Sequence, residues 1–557
     1  MPISTPALLL RSALAVACVV ATLPAARAQQ YAPPLWLNAY TPGFAPVASS
    51  SLASDAQGNT YAAFSFTGSI TIGGTMLTSQ GLSDGCLVKY TPTGTVAWIL
   101  PFSTATNESA ADVALDAAGN AYVTGSFTSP LQVGGGNGVQ LSSSSTAAKV
   151  FVVRVSPQGV PEWAQQSAPG ASTSANGYSV DVDAQGNVYA CGLYSGSVFF
   201  GPAAVGATSR TGFGVFLLRL RAATGEAQAA AAAFDYQPAP PPVTYQLPRL
   251  AVGAGGSVYI ANSFAVPLEV SGTSYTTRGN NDLLVVKYSA QGMAEWVRQE
   301  GGPDEDRVTD AAVDGNDNLY LTGTFDGVTT FGTTALPWAG GLDGFLAKYS
   351  PLGALLWVQA HGGPGSDGWG SVSLDAGGAP HVAGHFSTGA RLGSSTLTAV
   401  GSNDIVVASY RPEGQLGWVQ QAGGTGSDVG FHIGFRQPYL YVFGTFTGSC
   451  SFGGRPVSST TTTTANFLAR LGDPTLATQA ARPRTLGLYP NPAFDQLHLP
   501  TLPAGTPVQL LDALGRLARA TTVSAAAQVS VRGLTPGLYT LRATTPAGPY
   551  QARVVVK

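Results

Sequence analysis

Asp55-Ala-Gln-Gly-Asn-Thr-Tyr61 is the first copy of a segment that recurs through most of the chain and decides its fold. Full copies follow at Asp116-Ala-Ala-Gly-Asn-Ala-Tyr122, Asp183-Ala-Gln-Gly-Asn-Val-Tyr189 and Asp314-Gly-Asn-Asp-Asn-Leu-Tyr320, and degenerate copies end at Tyr259, His381 and Tyr441. Gly and Asn tolerate the positive φ of a tight turn, so each copy predicts a hairpin that leads into a strand. Seven copies indicate a repeat protein.

Two more landmarks keep a fixed distance along the repeat. Eleven residues after each Tyr or His, an apolar residue precedes a small one, from Ile72-Gly73 in the first copy to Phe452-Gly453 in the last. In five copies a Trp stands four residues after a Gly, and these are Trp98, Trp163, Trp296, Trp357 and Trp418. The third copy has lost its Trp, whose position falls at about Ala229. The low-complexity runs Ala229–Ala233 and Pro238–Pro242 predict a surface loop there.

The residues of one copy read as four short strands. In the second copy these are Asp112–Asp116, Ala121–Phe127, Phe151–Val155 and Pro161–Gln165, the second of them rich in aromatic and β-branched residues. A single four-stranded sheet cannot cover both its faces, whereas seven sheets stacked in a ring can. The fold class is therefore predicted to be all-β, a seven-bladed β-propeller of antiparallel blades. A linear solenoid is the alternative, but it should carry polar capping copies, and the sequence has none.

The two ends of the repeat region predict how the ring closes. The seventh copy provides strands near His432–Phe435, Tyr439–Phe446 and Phe467–Leu471, and has no fourth. The segment Pro34–Tyr40 carries Trp36 but has no strands of its own before it. We therefore expect residues 34–40 to pair with residues 466–471 and to complete the last blade.

The repeat resembles the SBBP-type β-propeller repeat of bacterial exported proteins. The matching residues are Gly-Gly-x-Gly-Ser-Asp at Gly423–Asp428, its variant at Gly362–Asp367, the Asp-x-x-Gly-Asn-x-Tyr segments, and Asp-x-Phe-Leu-x-Lys-Tyr at Asp343–Tyr349. The resemblance covers about residues 34–471. It implies a seven-bladed propeller in an exported protein and says very little about activity.

The N-terminus has the form of a secretory signal peptide spanning residues 1–28. Arg11 precedes the apolar run Ser12–Leu23, and Ala26 and Ala28 frame a small-x-small cleavage site, so cleavage is expected after Ala28. The run is too short to span a bilayer. A lipoprotein anchored at Cys18 is the alternative, which the apolar residues beyond Cys18 disfavour.

Composition narrows the class of protein further. Only 10% of the residues are charged, while the chain holds 70 Gly and 38 Pro, which excludes both a solvated disordered chain and a coiled coil. The acidic body before Thr485 argues against nucleic-acid binding, which needs clustered Lys and Arg.

Three cysteines remain after removal of the signal peptide: Cys86, Cys191 and Cys450. Their number is odd and each lies in an apolar segment, so we expect buried free thiols.

The end of the chain differs from the repeats. Residues 472–485 read as a linker between the propeller (29–471) and a small β-sandwich of about seven short strands (486–557). Its residues resemble the type A C-terminal sorting domain of the type IX secretion system of Bacteroidetes: Tyr489-Pro490-Asn491-Pro492, Leu511–Arg516 with Gly515, Leu534–Tyr539 with Gly537 and Tyr539, and Val554–Lys557. The resemblance implies a tail that the outer-membrane secretion machinery recognises and removes. The passenger is then released or attached to surface lipopolysaccharide.

Few residues suggest chemistry. His381 and His385 share a strand face and could start a metal site, but His381 holds a position that is aromatic in the other copies, which favours a packed ring. Asp314, Asn316 and Asn318 offer oxygen ligands at the spacing of a calcium loop, although their sibling copies are ordinary turns. The acidic residues Asp304–Asp306 and Asp310 are read as a solvated loop, with a cation or sugar contact as the alternative. No nucleophile elbow, phosphate loop or dinucleotide motif is present, so we expect neither catalysis nor a cofactor.

Three functions remain open on the sequence alone. A surface-displayed or secreted propeller that binds an extracellular glycan or protein needs no catalytic residues, and this is the favoured hypothesis. An enzyme acting on an extracellular polymer should show acidic residues or His that depart from the repeat. A structural component of a surface layer is the third.

Overall fold

The repeats fold into four-stranded antiparallel sheets, and the outer hairpin of the following repeat extends two of these sheets to six strands. The protein is represented by a computed structural model, which describes residues 36–39, 50–134, 138–143, 146–168, 174–201, 205–237, 247–436, 439–453, 455–458, 464–472, 484–512, 517–545 and 548–557. The described residues form seven such sheets, here called sheets 1 to 7. Hairpin turns with positive-φ glycines, such as Gly58 and Gly119, connect the first strand of a sheet to its second.

The first four sheets lie between residues 50 and 300. Sheet 1 consists of Ser50–Ser54, Thr60–Phe66, Asp84–Tyr90 and Val96–Phe102. Sheet 2 consists of Glu108–Leu115, Ala121–Phe127, Lys149–Val155 and Pro161–Gln166. Sheet 3 consists of Ala175–Val182, Asn187–Phe200, Val205–Arg221 and Ala227–Tyr236. Sheet 4 consists of Arg249–Val252, Val258–Phe264, Asp282–Tyr288 and Ala294–Glu300.

The last three sheets complete the series. Sheet 5 consists of Asp306–Val313, Leu319–Phe325, Asp343–Tyr349 and Leu355–His361. Sheet 6 consists of Gly368–Leu374, Pro380–Phe386, Asp404–Tyr410 and Leu416–Gly424. Sheet 7 consists of Val429–Arg436, Tyr439–Thr447, Thr464–Gly472 and Trp36–Ala39.

Short hairpins extend the loops between second and third strands. Their strands are Ser69–Ile72 with Thr75–Thr78, Leu131–Val133 with Val139–Leu141, Leu268–Val270 with Thr273–Tyr275, Thr330–Phe331 with Thr334–Ala335, Arg391–Leu392 with Ser395–Thr396, and Ser449–Phe452 with Arg455–Ser458. Each begins or ends near the apolar–small pair noted in the sequence. The buried Ile72, Val133 and Phe331 show why the apolar member of that pair is needed.

The first strand of every sheet packs against the first strands of the two neighbouring sheets, and the first strand of sheet 7 also meets that of sheet 1. The sheets therefore form a closed ring around a central channel, and the fold is an all-β propeller. Apolar residues of the second and third strands fill the spaces between sheets: the strands Thr60–Phe66 and Asp84–Tyr90 are buried throughout. Burial on both faces is the reason these strands are apolar without alternation.

The predicted ring closure is confirmed. Strand Trp36–Ala39 pairs antiparallel with Thr464–Gly472, in the register Trp36↔Arg470 to Ala39↔Phe467. In the other sheets, Trp98 opposes Lys89 and Trp357 opposes Lys348 at the same place. The N-terminal segment therefore occupies the fourth-strand position, and both ends of the propeller chain share one sheet.

One prediction about sheet 3 is wrong. Residues Ala229–Ala233 do not form a loop, because strand Ala227–Tyr236 pairs with Val205–Arg221 along most of its length. Alanine has a low β-propensity, but tertiary pairing overrides propensity here, and Ala233 and Phe234 are buried. The other part of that prediction, Pro238–Pro242, lies outside the described residues.

The C-terminal residues build a core of their own. A five-stranded sheet and a two-stranded sheet contain the strands Arg484–Thr485, Gln496–His498, Pro507–Leu511, Leu517–Thr522, Gln528–Ser530, Gly537–Thr545 and Gly548–Val556. Their buried side chains, among them Leu497, Leu510, Val531 and Leu541, form one hydrophobic cluster. The strand Leu517–Thr522 was not foreseen from the sequence. No helix long and apolar enough to cross a membrane occurs among the described residues.

Candidate functional site

The inner strands place one equivalent residue of every sheet at the same level of the channel. In each sheet this residue pairs with the one two positions after the repeat Tyr or His. The seven residues, here called the channel ring, are Ser51, Asp112, Ser179, Arg249, Asp310, Ser371 and His432. All of them line a central cavity of about 330 Å³. The channel is thus polar at this level, in contrast to the apolar space between sheets.

Two acidic members of the channel ring connect neighbouring sheets in the same way. Asp112 Oδ2 accepts hydrogen bonds from Ser179 Oγ at 2.9 Å and from the Val180 backbone N–H at 2.8 Å. Asp310 Oδ2 accepts from Ser371 Oγ at 2.6 Å and from the Val372 N–H at 3.0 Å. Since the innermost strand is a sheet edge, its N–H groups need partners, and these carboxylates supply them.

A third carboxylate lies one level along the channel. Asp181 Oδ2 accepts from the Val252 N–H at 2.8 Å, and its Oδ1 accepts from the Val182 N–H at 2.8 Å. Burial raises the pKa of Asp181 to about 7, with the nearby Asp112 and Asp183 acting in the same direction. Burial also raises the pKa of Asp310. The negative charge of the channel is therefore smaller than its carboxyl content suggests.

Arg249 is the cation of the channel ring. Its side chain is half-buried, and its Nε is buried with no hydrogen-bond partner among the described residues. Burial and, to a smaller extent, the charge of Arg249 together lower the pKa of His432 to about 3. The same charge partly offsets the effect of burial on the pKa of Asp310. The ring therefore combines one guanidinium, neutral imidazole, carboxyl groups and serine hydroxyls.

The two histidines singled out from the sequence have different surroundings. His381 takes the place of the repeat Tyr and stacks on Phe435 of sheet 7, with ring centroids 4.7 Å apart and planes at 12°. Its Nε2 lies 4.0 Å from Asp375 Oδ2. Burial lowers the pKa of both His381 and His385 to about 4. The described residues contain no group of three His, Cys, Asp or Glu arranged to hold a metal ion.

The calcium candidate is a hydrogen-bonded turn. Asp314 Oδ1 accepts from the backbone N–H groups of Asn316 and Asn318, both at 2.9 Å, and its Oδ2 accepts from Asn318 Nδ2 at 2.9 Å. Lys348 Nζ lies 3.5 Å from the same Oδ2. The sibling Asp55 makes the same bonds to Gln57 and Asn59. The Asp314 carboxylate thus accepts hydrogen bonds from its own turn and lies beside a lysine cation.

The prediction of a solvated loop is wrong for Asp306 and Asp310, which lie in the strand Asp306–Val313. Asp306 is buried and accepts from Thr329 Oγ1 at 2.7 Å and from the Gly302 N–H at 2.8 Å, and burial raises its pKa to about 6. Glu305 accepts from Asn281 Nδ2 at 3.0 Å and pairs with Arg307. Of these acidic residues, only Asp310 lines the channel.

The expectation of buried free thiols is confirmed, because Cys86, Cys191 and Cys450 are free and buried.

The residues quoted for the sorting motif hold the last strand of the tail. Asn491 Nδ2 donates to the Arg553 carbonyl at 2.9 Å, and its Oδ1 accepts from the Val555 N–H at 2.8 Å. The backbone N–H of Lys557 donates to the Ala493 carbonyl at 2.9 Å. Tyr489 stacks on His498, and the Tyr539 hydroxyl donates to the Thr535 carbonyl at 2.8 Å. Gly515, Ala26 and Ala28 lie outside the described residues.

The channel ring has a signal in the sequence, which the strand pattern alone does not reveal. In six copies the ring residue stands ten positions before the repeat Tyr or His and is polar in all six. In the seventh copy the turn is one residue shorter, which places His432 nine positions before Tyr441.

Comparison with known proteins identifies the tail. Residues 487–557 match the family described as "Secretion system C-terminal sorting domain". The C-terminal region is thus a sorting domain of the type IX secretion system, and this implies that the protein is exported to the cell surface or the surrounding medium. The fold class predicted for the rest of the chain is borne out by the sheets described above.

More distant similarities involve the propeller. An uncharacterized WD repeat-containing protein of Acanthamoeba polyphaga mimivirus is 26% identical over 180 residues, which cover 28% of this chain and 12% of that protein. Among solved structures, PorZ, a surface component of the type IX secretion system of Porphyromonas gingivalis, is 12% identical, with 94% of this chain and 100% of that chain covered and a TM-score of 0.17. Puromycin hydrolase is also 12% identical, with 92% of this chain and 58% of that chain covered and a TM-score of 0.37.

Proposed function

We propose that the propeller is a binding module without catalytic activity or a resident cofactor, and that it holds a polyhydroxylated ligand, the end or a branch of an extracellular glycan, at the channel ring. The observation that carries this proposal is Arg249, whose buried Nε has no hydrogen-bond partner among the described residues. An unpaired buried donor on a charged group is costly. A ligand that accepts a hydrogen bond from Arg249 would remove that cost.

The composition of the ring selects the class of ligand. A sugar hydroxyl donates one hydrogen bond and accepts others. It can accept from Arg249 while donating to a serine oxygen or to a free lone pair of Asp310 in the same ring. An anionic ligand is disfavoured by the carboxyl groups of Asp112, Asp181 and Asp310. An apolar ligand would leave all of these groups without partners.

The carboxylates of the channel support binding over hydrolysis. Glycoside hydrolysis needs two carboxyl groups that flank the scissile bond and are free to exchange protons or attack. Asp112, Asp181 and Asp310 each accept hydrogen bonds from backbone N–H groups of the inner strands. These three side chains therefore stabilise the inner strands of the propeller.

Export and the repeat type complete the proposal. The sorting tail would deliver the propeller to the outer surface, where the secretion machinery removes the tail and the passenger is released or anchored. We also assign the seven repeats to the SBBP type, on the residues Gly423–Asp428 and Asp343–Tyr349. The predicted signal peptide, residues 1–28, would start the same route.

The test is a glycan array with the purified full chain, followed by calorimetric titration with each glycan that binds. Arg249→Met should weaken binding at least about tenfold, because a hydrogen bond to a charged group contributes roughly 1.5–3 kcal/mol. Arg411→Met is the matched control, since Arg411 is exposed in the turn between the last two strands of sheet 6. Equal affinity of Arg249→Met and wild type, or an array without any binding, would contradict the proposal.

A further inference from the structure

The repeat Trp residues complete the interfaces between sheets. In four sheets the indole Nε1 donates to a backbone carbonyl in the next sheet, at 2.9–3.1 Å, and these pairs are Trp98 with Pro157, Trp163 with Ala222, Trp296 with Pro351, and Trp357 with Pro412. Each indole also lies within 6.0 Å of the repeat Tyr of its own sheet, measured between ring centroids. The indole is thus held by a carbonyl on one side and an aromatic ring on another.

A glycine supports the face of each of these indoles. A Cβ atom added to Gly159, Gly353 or Gly414 would lie 2.7–2.8 Å from the indole that covers it. The acceptor carbonyl is shared as well. Pro351 O accepts from Lys287 Nζ at 3.1 Å in addition to Trp296, and Pro157 and Pro412 accept in the same way from Lys89 and Lys348. Both lone pairs of that carbonyl are used in these three sheets.

Sheet 3 keeps every part of this arrangement except the indole. Ala229 stands opposite Arg219, where Trp357 stands opposite Lys348 in sheet 5. Arg219 Nη1 still donates to the equivalent carbonyl, Ala290 O, at 3.0 Å. The second lone pair of Ala290 O therefore lacks the indole donor found in the sibling sheets. A Cβ atom added to Gly292 would meet nothing within 4 Å.

The missing side chain leaves a cleft of about 90 Å³ between sheets 3 and 4. The repeat Tyr189, Leu217 and Val258 form its apolar part, and all three are buried. Ala229 to Ala231 border it on one side, and the turn from Ser289 to Gly292 borders it on the other. A cleft of this size has room for several water molecules or for part of a flat ring system.

We propose that this cleft is a binding site for a small planar aromatic ligand of the indole class, one that carries a ring N–H. The ring would lie over Gly292 with its edge near Tyr189, and its N–H would donate to Ala290 O. Four of the other interfaces supply the argument, because each shows the same three contacts made by an indole of the chain itself. The site is separate from the channel ring and does not depend on the function proposed for it.

The probe for this site is 5-fluoroindole, whose ¹⁹F signal broadens on binding to the full chain. We expect a dissociation constant on the order of 1 mM, as is typical for a ligand of this size that gains one hydrogen bond and limited burial. Ala229→Trp should weaken binding at least about tenfold, because the new indole occupies the cleft. N-Methylindole, which lacks the donor, should compete several-fold more weakly than indole.

Trp357→Ala is the matched control. It removes the indole at a sibling interface and should raise the number of binding sites from one to two, while Trp357→Ala combined with Ala229→Trp should leave one. If Ala229→Trp does not fold, Ala229→Leu fills part of the cleft and should still weaken binding. The inference is overturned if wild type does not bind the probe while Trp357→Ala does. It is also overturned if a folded Ala229→Trp or Ala229→Leu variant binds as well as wild type.

Discussion

Replacing His381 by Phe should stabilise the protein, and by a larger amount at pH 5 than at pH 7. His381 is 3% exposed, and neither ring nitrogen has a hydrogen-bond partner among the described residues. Burial lowers its pKa to about 4, against the opposing effect of Asp375, the acidic group beside it. Phe keeps the stack on Phe435 and removes both unpaired nitrogens. At pH 7 the expected gain is roughly 1 kcal/mol.

The pH dependence follows from proton binding by the unfolded chain. The folded-state pKa of His381 lies below the unfolded value of about 6.5, so its contribution to stability is full above pH 6.5 and is lost as the pH falls toward 4. Between pH 7 and pH 5 the unfolded histidine becomes protonated while the folded one stays neutral. This costs wild type about 2 kcal/mol. The variant lacks the group, so its advantage over wild type should grow by that amount.

Urea unfolding of the full chain at both pH values, followed by tryptophan fluorescence, measures the difference. The matched control is Tyr320→Phe at the sibling position in sheet 5, where the hydroxyl donates to the Gly378 carbonyl at 2.7 Å. That variant should be destabilised by roughly 1 kcal/mol at both pH values, because burial raises the pKa of Tyr320 further above this range. A stability difference between wild type and His381→Phe that is the same at pH 5 and pH 7 would refute the reasoning.

Three further predictions concern other parts of the chain. Deleting residues 29–39 should lower the unfolding free energy by several kcal/mol relative to deleting residues 29–35, because only the longer deletion removes the strand that pairs with residues 467–470; equal urea midpoints would argue against closure by this strand. Asn491→Ala should reduce delivery of the protein to the outer surface, measured by protease accessibility on whole cells, since two hydrogen bonds to the terminal strand are lost; unchanged delivery would show that this contact is not needed. Residues 29–471 expressed alone should give a soluble folded protein by circular dichroism, and aggregation of that fragment beside a soluble full chain would contradict an independent propeller.

The repeat explains why so much of the fold could be predicted from sequence. Each landmark corresponds to a contact that recurs in most sheets. The Asp carboxylate of the turn accepts hydrogen bonds from N–H groups of the same turn, and the apolar residue eleven positions after the Tyr is buried in the outer hairpin. In five sheets the Trp opposes a basic residue, such as Lys89 in sheet 1 and Arg470 in sheet 7, whereas Trp418 of sheet 6 opposes Ser409. Because these requirements recur at fixed spacings, the landmarks stand out from chance matches. The pairing of Trp36 followed from counting which strand was missing.

The parts that could not be predicted depend on contacts between copies. The alanine run of sheet 3 reads as low complexity, and its strand exists because Val205–Arg221 provides a pairing edge. The role of Asp112 cannot be inferred from its own repeat, since its hydrogen-bond partners Ser179 and Val180 belong to the next repeat. The sequence repeat indicates which contacts a residue makes inside its own sheet. The channel is formed by all seven sheets, so its contacts cannot be predicted from one repeat.

Departures from the repeat at equivalent positions give the strongest indication of function in this protein. Five of the seven positions of the channel ring hold Ser or Asp. Only Arg249 and His432 are residues of another type. Among the interfaces the same comparison isolates Ala229, where the indole is missing but its carbonyl and glycine remain. A single-copy domain offers no such internal reference, because an unusual residue there has no sibling with which to be compared. Here the equivalent residues of the other sheets show what the fold itself requires. The fold does not require an arginine at the position of Arg249 or an alanine at the position of Ala229.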